Sequence, residues 1–312
     1  MKMAMVFPGQ GSQSPGMMAG YGDLASVKAV LAEASDVLRQ DLGKLIAEGS
    51  AEELASTVNT QPVMLAAGYA AYRAWLELGG QEPAVVAGHS LGEYTALVAA
   101  GALKFGQALP LVRLRAQAMQ EAVPQGTGAM AAILGLEDDA VRAACFEAAQ
   151  GEVVEAVNFN APSQVVVAGH TAAVERAMRS CKARGAKRAV ALAVSAPFHS
   201  SLMAPAAARL RAALAGVSVA SPRIPVIHNF DVRSHADPQA VREALVAQVD
   251  HPVRWVECIR AMAQAEATHV LECGPGRVLA SLSKRINPAL SGIALADRAG
   301  IDEGLKLFGK QG

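Results

Sequence analysis

Apolar residues recur along the chain in two rhythms, and together they predict alternating strands and helices. Residues 2–7 and 84–87 are short, nearly continuous apolar runs closed by Pro or Gly, which suits strands buried on both faces. Three-and-four spacing predicts helices over 25–39, 61–78, 93–100 and 105–122. Ser50 with Glu53 three positions on marks a capping box and a further helix start. Pro110 falls near the first turn of the 105–122 helix, where a missing N–H is tolerated. From residue 128 the rhythm changes to strand 129–134, helix 137–149, strands 153–158 and 165–168, helix 171–183 and strand 189–194. A helix at 202–215, a strand at 226–227, helices at 238–249 and 253–265, a strand at 269–272, a helix to about 285 and a strand near 293–295 complete the pattern. The tail from 299 carries little pattern and is expected to lie at the periphery.

The order within 128–194 is βαββαβ, the ferredoxin-like unit. It interrupts the rest, so the expected fold is α/β: an α/β-hydrolase-like core with a mostly parallel sheet, residues 1–126 and 196–312, carrying an inserted ferredoxin-like subdomain, residues 127–195. Turn-rich junctions at Gln125-Gly126-Thr127-Gly128 and Ser195-Ala196-Pro197 fit those boundaries. The cleft between insertion and core is the expected substrate site.

Between the 84–87 strand and the 93–100 helix stands Gly88-His89-Ser90-Leu91-Gly92. Strand, G-x-S-x-G, helix is the context of a nucleophile elbow, which pushes the serine hydroxyl out beside the unpaired N–H groups of a helix start. Ser90 is therefore the candidate nucleophile. Phe7-Pro8-Gly9-Gln10-Gly11-Ser12-Gln13 is a near miss for a dinucleotide fingerprint, because Ser14 stands where the third glycine belongs. Its better use is to bring the Gln10 N–H against a substrate carbonyl.

Composition narrows the function. Of 312 residues, 52% are hydrophobic and 18% charged, which fits a packed enzyme and not a disordered chain. Lys plus Arg and Asp plus Glu number 28 each, so the formal charge is zero and neither nucleic acid nor an anionic membrane is expected as partner. The basic, apolar start 1–7 is stopped by Pro8-Gly9 too soon for a signal peptide, and no segment reaches the length of a membrane span. Cys145, Cys181, Cys258 and Cys273 are far apart, with no metal-site spacing, and read as reduced thiols of a cytoplasmic protein.

A serine needs a base. His199, in Ser195-Ala196-Pro197-Phe198-His199-Ser200-Ser201, re-enters the core beside the cleft and follows Ser90 in hydrolase order. His228 and His251 remain open as alternatives. No Asp or Glu between Ser90 and His199 stands on a suitable loop, and Glu93, on the elbow helix, is expected to point away from any plausible position of the catalytic histidine. A dyad with a neutral acceptor behind the histidine is the consequence. Arg115 shares a helix face with Leu111, Val112, Ala118 and Met119, whereas Arg113 looks solvated. An arginine on an apolar face binds a carboxylate ligand, pairs internally, or snorkels to water.

The stretches 7–13, 88–94 and 195–201, with Arg115, Asn158-Phe159-Asn160 and Gly274-Pro275-Gly276, resemble one family in order over nearly the whole chain. It is the malonyl-CoA:acyl-carrier-protein transacylases of bacterial fatty acid synthesis, relatives of polyketide acyltransferase domains. The resemblance implies a malonyl ester on Ser90, His199 as base and then acid, and Arg115 on the malonyl carboxylate. It also implies an oxyanion hole from the Gln10 and Leu91 N–H groups and a Gln248 main-chain carbonyl that orients His199. Leu91 and Phe198 match the malonyl-type pattern, with Phe198 crowding a branched α-carbon. The expected partners are malonyl-CoA and acyl carrier protein, with no metal or cofactor and a monomeric enzyme. Basic clusters at Lys182, Arg184, Lys187 and Arg188 and at Lys284-Arg285 are candidate docking surfaces for the acidic carrier. The competing readings are a serine esterase or thioesterase, a non-catalytic carrier-binding module, and an acyltransferase of a polyketide pathway.

Overall fold

A computed structural model describes residues 1–194 and 196–310. Ser195, the first residue of the second junction, lies outside the described residues, as do 311–312. Nine strands form two sheets among the described residues: β1 (Lys2–Phe7), β2 (Val85–Gly88), β3 (Gly128–Leu134), β4 (Val154–Ala161), β5 (Gln164–His170), β6 (Arg188–Ala191), β7 (Val226–Ile227), β8 (Ala267–Glu272) and β9 (Ser291–Ala294).

The first sheet runs β7-β2-β1-β8-β9 and every pairing in it is parallel. β1 is central, and its alternation explains why residues 3–7 are apolar throughout. Met3, Met5 and Phe7 enter one hydrophobic cluster, with the long helix Thr57–Glu77, while Ala4 and Val6 enter another, with the helix Trp255–Gln264. A strand covered on both faces leaves no polar position. The carboxyl ends of β1 and β2 lie side by side, so the 8–13 loop and the elbow meet there, where open α/β sheets place their ligands.

The second sheet runs β4-β5-β3-β6 and is antiparallel, the ferredoxin-like order. One face, including Ala131, Ile133, Val165 and Val167, packs on the helices Asp138–Ala149 and Thr171–Ala183. Residues of the other face, Met130, Val157, Val166 and Ala168, join the main core. Paired backbone bonds between β4 and Val253 stitch this sheet to the main body: Phe159 N to Val253 O at 3.0 Å and Val253 N to Val157 O at 2.8 Å.

Two expectations need correction. The tail is a helix, Arg298–Phe308, capped by Asp297, and its Ile301 and Phe308 are buried in the main core. Ile301, Leu305 and Phe308 do carry helical spacing, but Gly300 and Gly304 thin out the face that packs against β9 and Trp75. The helix expected from 61 starts at Thr57, because Thr57 and Thr60 are buried despite poor helix propensity. Among the described residues no helix is long and apolar enough to cross a membrane.

Candidate active site

The elbow follows from crowding. β2 ends at Gly88 and the next helix is Gly92–Ala99. A Cβ on Gly88 would fall 1.8 Å from the Gly92 carbonyl carbon, and one on Gly92 would fall 2.0 Å from the Phe7 carbonyl oxygen. Only glycine fits either place. Ser90 at the tip has φ +51°, a strained conformation held by its surroundings: its N–H donates to Asn229 Oδ1 at 2.7 Å, and Asn229 Nδ2 donates to the Gly88 carbonyl at 2.8 Å.

Ser90 Oγ donates to His199 Nε2 at 2.7 Å, and His199 Nδ1 donates to the Gln248 main-chain carbonyl at 2.8 Å. A carbonyl only accepts, so the proton resides on Nδ1 and Nε2 is left as the acceptor. His199 too has a positive φ, +64°, and is almost wholly buried. Burial first, and the Arg115 charge second, push its pKa down to about 3. The imidazole is thus neutral at ordinary pH and positioned as a base.

Arg115, on the helix Phe105–Glu121, is 1% exposed. Its Nη1 donates to Gln61 Oε1 at 2.9 Å, and its Nη2 donates to Gln248 Oε1 at 2.9 Å and to Ser90 Oγ at 3.2 Å. The Tyr94 ring lies 5.5 Å from the guanidinium carbon. Among the described residues it has no carboxylate partner, and its Nε–H has no partner at all. A buried cation held by neutral oxygens, next to the nucleophile, has the charge and donors to receive an anion.

Gln10 and Leu91 both line the cleft above Ser90. Gly9 brings them together, since a Cβ there would sit 2.5 Å from the His89 carbonyl oxygen and 3.7 Å from the Leu91 nitrogen. Among the described residues neither the Gln10 nor the Leu91 N–H is engaged in a backbone hydrogen bond. One such N–H from the loop after β1 and one at the start of the Gly92–Ala99 helix suit a developing oxyanion. The cleft, of about 210 Å³, is closed on the insertion side by Met130, Val166, Leu192 and Val194, and Phe198 narrows it beside His199.

The structure therefore brings Ser90, His199, Gln10, Leu91, Arg115, Gln248 and Phe198 to one place. The alternative histidines lie elsewhere: His251 is exposed against Asp250 and the Ala247 carbonyl, and His228 is buried with its Nδ1 2.7 Å from Glu93 Oε1. Among the described residues Glu93 accordingly makes no pair with His199, and the histidine it faces is His228. Arg113 is half-buried and donates to Gln40. Sequence reasoning missed Gln61, Asn229 and the role of Asn160, whose Oδ1 lies 2.8 Å from His89 Nε2. Gln61 was visible only as a polar residue on an otherwise apolar helix face.

A family model described as acyl transferase domain matches residues 4–289. The malonyl CoA-acyl carrier protein transacylase of Escherichia coli (strain K12) is 50% identical over 310 residues, 98% of this chain and 99% of that protein. The crystal structure of the acyl-carrier-protein S-malonyltransferase from Burkholderia pseudomallei 1710b superposes with a TM-score of 0.97 at 62% identity, covering 98% of this chain and 100% of that one. A malonyl-transacylase solved in complex with its type II PKS acyl-carrier protein gives 0.96 at 50% identity, covering 98% and 99%.

Proposed function

The chain belongs to the acyl transferase domain family, and on that footing we propose that it moves a malonyl group from malonyl-CoA to the phosphopantetheine thiol of acyl carrier protein in fatty acid biosynthesis. The observation that carries the reading is one hydroxyl, Ser90 Oγ, within hydrogen-bond reach of both a neutral buried imidazole and a buried guanidinium that touches no carboxylate among the described residues.

The reaction is ping-pong. Ser90 Oγ attacks the thioester carbonyl while its proton passes to His199 Nε2. The Gln10 and Leu91 N–H groups stabilise the oxyanion, and the Gln248 carbonyl steadies the imidazolium. Collapse breaks the C–S bond, and coenzyme A leaves with the proton from His199. The carrier thiol then gives its proton to His199 and attacks the ester, and Ser90 Oγ recovers a proton as it leaves. Arg115 holds the free malonyl carboxylate throughout, and Phe198 limits the α-carbon to an unbranched acyl group. Residues 127–195 serve as an inserted subdomain that walls the cleft. The reading takes the enzyme as a cytoplasmic monomer, and its four buried, free cysteines fit a reducing compartment.

Intact-mass spectrometry after brief exposure to malonyl-CoA tests this. A single malonyl adduct that is absent in Ser90→Ala and is discharged by carrier protein is expected. An adduct that hydrolyses in water as fast as it transfers would identify a thioesterase instead. The resemblance to the transacylase solved with a type II PKS carrier favours a second reading, in which the acceptor belongs to polyketide assembly. Competition between the two carriers for the labelled enzyme separates them.

A further inference from the structure

Behind the elbow lies a carboxylate that the reaction above does not use. Glu93 is fully buried, and its Oε2 accepts from Asn229 N and from Gln248 Nε2, each at 2.9 Å, while Oε1 faces His228 Nδ1 at 2.7 Å. Gln248 Nε2 also donates to the Ser90 carbonyl at 2.8 Å, and Gln248 Oε1 accepts from Arg115 Nη2. Glu93 and Arg115 are thus opposite charges joined through a single amide. That amide points its nitrogen at the anion and its oxygen at the cation, the favourable sense at both ends.

A buried guanidinium needs a counter-charge, because burial works against its proton affinity while Tyr94 and then Glu93 work for it. A direct ion pair would supply that charge and also occupy the donors that a substrate carboxylate has to reach. One amide of separation supplies the charge and leaves the donors open. We propose that Glu93 is a positioning residue for acyl-group selection: through the Gln248 side chain it holds Arg115 facing the cleft and in register with the Ser90 main chain. This rests on the reading of Arg115 as the malonyl carboxylate site.

The substitutions follow from the bonding. Glu93→Ala removes the acceptor. Glu93→Gln still offers an oxygen to Asn229 N and Gln248 Nε2, and its amide nitrogen can donate to His228 Nδ1 once that ring carries its proton on Nε2, an atom without a partner among the described residues. Gln248→Met deletes the bridging amide at similar length and keeps the main-chain carbonyl behind His199.

The experiment measures kcat/KM with malonyl-CoA and with acetyl-CoA for these variants, alone and in an Arg115→Ala background, after thermal melts establish folding. Glu93→Ala should lower the malonyl-to-acetyl ratio about tenfold, Glu93→Gln, which keeps the hydrogen bonds without the charge, should recover only part of it, and neither should change the ratio further once Arg115 is gone. If Glu93→Ala does not fold, Gln248→Met carries the test, with the same fall in ratio expected. An equal fall for both donors, or a loss of ratio that persists without Arg115, overturns the proposal. An Arg115→Ala enzyme that keeps its malonyl preference overturns instead the reading beneath it.

Discussion

Replacing Arg115 by alanine separates selection from chemistry, and the structure sets the size of the effect. The guanidinium is already stripped of water and held by three neutral acceptors, so a bound carboxylate meets a cation whose desolvation has been met by folding. Hydrogen bonds to charged groups contribute about 1.5–3 kcal/mol each. With one such bond at the upper end, or two discounted for the dehydration of the incoming carboxylate, the loss is about 3 kcal/mol. At about 1.4 kcal/mol per decade, that lowers kcat/KM for malonyl-CoA by about two orders of magnitude. Acetyl-CoA has no carboxylate and loses only the 3.2 Å contact from Nη2 to Ser90 Oγ, whose length puts it at the lower end of the same range, so its kcat/KM should fall by about tenfold at most. The freed Gln61 oxygen lines the cleft, where water can replace the guanidinium, while Gln248 is fully buried, so thermal melts accompany the assay to separate a structural cost from lost selection. The assay is carrier-dependent transfer from each donor under subsaturating conditions. An equal loss for both donors would refute the reasoning, because it would make Arg115 a support for Ser90 and not a reader of the acyl group.

The pH dependence has a definite sign. With its pKa at about 3 in the folded enzyme, His199 stays unprotonated as pH falls from 7 to 4, so acylation of the free enzyme should show no acid limb near the ordinary histidine value; a limb centred near 6.5 would contradict it. Over the same window the unfolded chain takes up a proton at this residue and the folded chain does not, so its linkage makes stability fall with pH, measurable as a falling denaturant midpoint. Phe198→Ser should open the cleft beside His199 and raise methylmalonyl transfer relative to malonyl; an unchanged ratio would place the α-carbon elsewhere. Charge reversal at Lys187 and Arg188, exposed at the start of β6, should raise KM for carrier protein alone, and an equal rise for malonyl-CoA would remove that surface from docking.

The elements legible in the sequence are those whose periodicity reflects a single dominant environment. β1 and β2 announce themselves because both faces are covered, and the insertion does so because each of its helices has one clean apolar face. The terminal helix was missed because glycines at 300 and 304 replace side chains where it packs closely, so tight contact looks like weak pattern. Within the site, local turn chemistry exposed Ser90, and chain order pointed to His199. The third member was the difficulty: a main-chain carbonyl, that of Gln248, has no side-chain signature. The bonding of Glu93 was missed for a related reason. Its partners Asn229, His228 and Gln248 come from elements more than 130 residues away, and only the tertiary arrangement brings them to this buried carboxylate.

The neutral acceptor behind His199 and the displaced carboxylate at 93 answer one constraint. A site that must admit an anionic acyl group beside its nucleophile cannot also keep a carboxylate within reach of Arg115, since the two anions would compete for the guanidinium and repel each other across a poorly screened gap. A third-member acid on His199 Nδ1 would stand close to that cation, because the Gln248 carbonyl that occupies the place belongs to the same residue whose side chain binds Arg115. With a carbonyl there, the imidazole keeps its tautomer without added negative charge. The residual need for a counter-charge passes to Glu93, one amide further away. On this reasoning a carboxylate introduced at 61, in contact with Arg115 Nη1, should act as an internal competitor. Gln61→Glu is expected to raise KM for malonyl-CoA at least tenfold while sparing acetyl transfer, and a variant that loses both activities equally would show that charge competition is not what shaped the site.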